Sequence, residues 1–103
     1  MAHKRIKRLK KINILGVDHK IRYPDLEDHD GYYYAENKLI EIDRKIKGQD
    51  RLLYVTLHEA LHGVLNLSGV SQNINDEQEH CIIDSVITFL MANLENLDKI
   101  RPE

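Results

Sequence analysis

The run from Asp50 to Ser68, DRLLYVTLHEALHGVLNLS, contains no proline and is followed at once by Gly69. Proline breaks helix interiors and glycine favours helix ends, so this segment predicts one long helix. At about 100° per residue, Tyr54, His58, Leu61, His62 and Leu65 fall on one stripe. Leu53, Leu57, Ala60 and Val64 widen the apolar surface to one side. A helix this apolar must be mostly buried, so the rest of the chain has to supply a surface for it to lie against.

Inside the helix stands His58-Glu59-Ala60-Leu61-His62. Four residues bring a side chain back to nearly the same face, about 6 Å further along the axis, so two imidazoles can meet one ion. Glu59 projects to the side of that pair, where a carboxylate reaches a water at the ion without being a ligand itself. The plainer reading makes the histidines hydrogen-bonded core residues and Glu59 an ordinary surface glutamate. The pair spacing with the intervening glutamate favours metal, and specifically the arrangement of a zinc-dependent hydrolase.

A catalytic Zn2+ usually takes three protein ligands, so a third is needed. Asn75, with Gln78 three residues later, reads as the cap of a second helix running to about Leu97. Its apolar stripe is Ile82, Ile83, Val86, Ile87, Leu90, Leu94 and Leu97, and Glu79 lies at the centre of that stripe. A carboxylate on a core-facing stripe is costly unless something positive faces it, which makes Glu79 the expected third ligand. His80, about 100° round the helix, is the rival. Glu77 is a weaker one on the far side. Asp84 lies off the stripe and is expected to be solvated. Cys81 lies opposite the stripe and, as the single cysteine, excludes an intramolecular disulfide.

Before the helices the period shifts to that of strands. Ile12-Asn13-Ile14-Leu15, a turn at Gly16-Val17-Asp18, and Lys20-Ile21-Arg22-Tyr23 predict a hairpin ended by Pro24. Tyr32 to Ala35, a turn at Glu36-Asn37, and Lys38 to Asp43 predict a second. The tyrosines are strand residues first, and a groove lining second. The loop between the hairpins carries Glu27, Asp28, His29 and Asp30, read as exposed charges rather than a second metal site. The expectation is an α+β domain: a small, mainly antiparallel sheet of two hairpins, then the HExxH helix and a second long helix.

With 103 residues there is room for one modest core and none for a separate substrate domain. A net charge of -2 and 42% hydrophobic residues fit a soluble globular protein. No run approaches the roughly 18 apolar residues of a membrane span, and no hydrophobic stretch follows the basic N-terminus as in a secretory signal. A cytoplasmic location is expected. Residues 1–11 form a basic arm with six Lys/Arg and no acid, leaving the domain, 12–103, with nine Lys/Arg against seventeen Asp/Glu. Such an arm reads first as a solvated extension and second as a nucleic-acid contact, without a base-reading motif to support the latter.

Taken in order, these segments resemble the small minimal zincins of phages and mobile elements related to the ImmA/IrrE metallopeptidases. Ile12-Asn13-Ile14-Leu15-Gly16 is similar to the opening strand and turn, and Gly31-Tyr32 with Lys38-Leu39-Ile40-Glu41-Ile42-Asp43 to the hairpin before the metal helix. Thr56-Leu57-His58-Glu59-Ala60-Leu61-His62 resembles the metal helix itself, and Asp76-Glu77-Gln78-Glu79 the acidic start of the last helix. The resemblance spans about Ile12 to Leu97 and is specific at the metal motif. It implies zinc ligands at His58, His62 and Glu79, a base at Glu59, and cleavage of a protein substrate such as a repressor or regulator in the host cytoplasm. An extended peptide is expected to pair with a strand edge near Leu39 to Asp43. The alternative is a non-enzymatic regulatory or inhibitory protein that keeps the zincin fold.

Overall fold

The computed structural model describes residues 7–100. Four strands form one sheet in the order β1-β2-β4-β3: β1 (Lys11–Ile14), β2 (Val17–Arg22), β3 (Gly31–Tyr34) and β4 (Leu39–Ile42). Alternation decides which face is covered. Ile14, His19, Ile21, Ile40 and Ile42 are buried on one side, joined by half-buried Ile12 and Tyr33, while the intervening residues face outward.

Both expected hairpins are present, β1 with β2 and β3 with β4. The seam between them is parallel, with Ile21 opposite Ile40, so the sheet is mixed. Residues 23–30 carry the chain past one strand position, β3 takes the outer edge, and β4 returns into the gap beside β2. As a result β4 is paired on both sides and offers no free edge at Leu39 to Asp43. The free edge on that side of the sheet belongs to β3.

The first turn is tighter than the sequence indicates. Leu15 (φ 50°) and Gly16 (φ 86°) make a two-residue turn, so Val17 and Asp18 belong to β2. Asn13 Oδ1 accepts from the Gly16 N–H at 2.9 Å, and Asn13 Nδ2 donates to Asp18 Oδ1 at 3.0 Å. These contacts help hold Leu15 in a conformation it would otherwise avoid.

Helix α1 (Gln49–Leu67) lies across the sheet and buries Leu52, Val55, Thr56, Glu59, Ala60 and Gly63. Two glycines let it come close. A Cβ on Gly31 would stand 3.0 Å from Glu59 Cγ and Val55 Cγ1, and one on Gly63 would stand 2.8 Å from Ile14 Cδ1. Gly69, in the left-handed region, leads into a 3-10 turn over Val70–Asn73. Helix α2 (Asp76–Asp98) begins with the expected reciprocal cap: Gln78 N–H donates to Asn75 Oδ1 at 2.8 Å and Asn75 N–H to Gln78 Oε1 at 3.0 Å. It packs on α1 and fully buries only Ile83 and Ile87. Tyr54 meets Asp84 and His62 meets Glu79, so the two helices run antiparallel.

Candidate metal centre

One helical turn separates His58 from His62, and both sit on the part of α1 turned toward α2. Their Nε2 atoms stand 3.2 Å apart. Two ligands about 2.0–2.1 Å from a tetrahedral zinc stand about 3.3 Å from each other, so the pair is spaced for one ion. The first turn of α2 adds Glu79 and His80. The ring of His80 lies 5.2 Å from that of His62 and 5.8 Å from that of His58. Ligand-capable nitrogens of the three histidines fall within 4.8 Å of one another, the only such group among the described residues.

The far side of each ring explains the aim of the near side. His62 Nδ1 donates to Glu79 Oε2 at 2.6 Å, which leaves Nε2 with its lone pair. His80 Nδ1 donates to the Asp76 carbonyl at 2.9 Å, with the same consequence. His58 Nδ1 is buried without a hydrogen bond and lies 3.9 Å from Asp84 Oδ1, which accepts from Tyr54 Oη at 3.1 Å. A buried, unpartnered imidazole nitrogen costs stability in a structural core, and fits a ring whose place is set by a ligand on its other side.

Burial, reinforced by the neighbouring His62 charge, holds the His58 pKa below its ordinary value and keeps the ring in the neutral form that binds metal. Burial alone would raise Glu79, but the hydrogen bond from His62, together with Ser71 and the nearby His62 and His80 charges, outweighs it and holds the carboxyl below the usual range. Glu59, 7% exposed, is pushed up to about 7 by burial. It opens with His58 and His62 onto a cleft of ≈ 470 Å³, whose other walls include Tyr32, Tyr33 and Glu79.

The four residues singled out from sequence, His58, Glu59, His62 and Glu79, therefore meet in one place. Glu79 lies against the outer nitrogen of His62, and His80 is the α2 residue that joins the imidazole group. Asp84 is 57% exposed at its side chain, as expected of a solvated residue, yet it tethers Tyr54 beside His58. The available signal was Tyr54, four residues before His58 on the same stripe. His19 was not singled out: it is fully buried, its Nδ1 lies 2.9 Å from the Val17 carbonyl, and its Nε2 lies 3.3 Å from Tyr33 Oη. It thereby fixes a tyrosine that walls the cleft. Glu27, Asp28, His29 and Asp30 are exposed, as is Cys81. Six residues of the basic arm, 1–6, fall outside the described part.

Compared with known proteins, the chain matches no family model, no curated protein and no solved structure.

Proposed function

We propose that this chain is a zinc-dependent metallopeptidase of the minimal zincin kind, acting in the cytoplasm on a protein substrate such as a phage or host regulator. The observation that carries the reading is the 3.2 Å separation of the His58 and His62 Nε2 atoms beside the buried Glu59 carboxyl. The donor set fits zinc: imidazoles with their outer nitrogens engaged or buried and their inner nitrogens converging.

When bound, zinc supplies a Lewis acid that polarises a peptide carbonyl and makes water acidic near neutral pH. His58 and His62 would hold the ion. Glu79 and His80 compete for the third position. With Glu79 engaged by His62, His80 would be the residue to fill it, and Glu79 would fix the His62 ring. Glu59 accepts the proton of the attacking water and delivers it to the leaving amine, a task suited to a group titrating close to neutral pH. The free edge of β3 runs beside the cleft, with Gly31, Tyr32 and Tyr33 among its walls. An extended peptide pairs there through its backbone.

The test is metal analysis and peptide cleavage on purified wild-type protein and Glu59→Gln. The wild type is expected to hold one zinc and cleave a mixed peptide library. Glu59→Gln is expected to keep the zinc and lose at least about a hundredfold in rate. Unchanged cleavage by the zinc-loaded variant would remove Glu59 as the base and the peptidase reading with it. Separately, His80→Ala is expected to weaken zinc binding more than Glu79→Gln does; the opposite order makes Glu79 the third ligand.

A further inference from the structure

We infer that the outward face of α2 is a self-association surface that pairs two copies of this chain. Ile82, Val86, Phe89, Asn93 and Leu97 recur at steps of three or four residues and so share one side of the helix, and Ile100 follows two residues past its end. Phe89 is 58% exposed and Ile100 78%, while Ile82, Val86 and Leu97 are each exposed by more than a third. Ile83 and Ile87, which α2 fully buries, lie round to one side of this row, so packing against α1 leaves the row uncovered.

Size and charge select the occupant. At about 200 Å² for a fully exposed large side chain, the uncovered apolar surface is about 500 Å² per copy, or about 1,000 Å² for a pair, which reaches the threshold of a specific interface before any polar rim is added. Residues 85–94, SVITFLMANL, carry no ionisable side chain, although α2 is acidic on either side of them. A charged partner finds nothing to pair with there, whereas a second copy brings no like charges together. An antiparallel pairing centred between Phe89 and Leu90 is two-fold symmetric and sets Ile82 of each copy against Leu97 of the other.

The experiment is sedimentation equilibrium of the full chain across micromolar to millimolar concentration, with circular dichroism on each variant. The wild type is expected to approach twice its 12.1 kDa mass. Phe89→Glu is expected to weaken association by at least about tenfold, as loss of a central aromatic anchor does, with unchanged helix content. Val86→Glu serves as a second variant should Phe89→Glu alter the fold. A wild type that stays at 12.1 kDa throughout, or association unaffected by either folded variant, overturns the inference.

Discussion

The two helices share the candidate site but are held in different ways. Helix α1 is pinned between the sheet and α2, with buried residues on four successive turns. Helix α2 touches mainly α1, has no fully buried residue beyond Ile87, and leaves its second half open to solvent. His58, Glu59 and His62 therefore come from the rigid half, and Glu79 and His80 from the loosely held half. A metal ion spanning them would add the tether that α2 lacks, so metal binding and helix docking are one equilibrium.

Two equally buried isoleucines probe that contrast most strongly. Ile40 and Ile83 are both fully buried, one in β4 and one in α2. Ile40→Ala is expected to cost about 3–4 kcal/mol in urea unfolding and to lower protection everywhere. Ile83→Ala is expected to cost about 2–3 kcal/mol, with hydrogen exchange accelerated in α2 before the sheet responds. Uniform acceleration in both variants would mean that the halves fold as one cooperative unit. Next in size is Glu59→Gln in metal-free protein. Burying this carboxyl without a hydrogen-bond partner among the described residues raises its pKa from 4.5 to about 7, so ionisation opposes folding. The variant is expected to be more stable by about 2 kcal/mol at pH 8, measured by urea midpoint, although its zinc-loaded form loses activity.

A smaller effect belongs to the cap of α2. Asn75→Ala removes half of the reciprocal hydrogen-bonded pair and is expected to cost about 1 kcal/mol, to lower zinc affinity, and to leave the sheet unaffected. Smallest is an effect confined to the sheet half. Burial raises the Asp43 pKa, but hydrogen bonds from the Lys45 ammonium and the Lys45 and Leu26 N–H groups outweigh it and hold it below the ordinary value. A lowered carboxyl contributes stability above its unfolded pKa, and that contribution is lost as pH falls through the folded one. Asp43→Asn is therefore expected to flatten the acid limb of a stability–pH curve; an unchanged limb would show that Lys45 gives no net support.

Much of the helical half is legible in the sequence because its signals are local. The HExxH spacing and the Asn75–Gln78 cap are each decided within one turn, and both appear in the structure as read. The parallel seam is different: it depends on where residues 23–30 set β3 down, and no local pattern encodes that landing place. Leu15 was unreadable as a turn residue because leucine disfavours positive φ, and it is the tight two-residue connection, braced by Asn13, that imposes it. The choice between Glu79 and His80 lay equally out of reach. They are about 100° apart on one turn, and which points at His58 and His62 follows from the rotation of α2 against α1.

Gly31 and Gly63 carry a consequence for motion. At each, backbone from one layer rests against side chains of the other: the β3 backbone against Val55 and Glu59, and the α1 backbone against Ile14 and Tyr33. A rod resting on a plate at one point can pivot, but one held at two points along its length cannot roll about its own axis without lifting from one of them. The orientation of both α1 imidazoles is thus inherited from the sheet, and the only adjustable part of the site is the distance to α2.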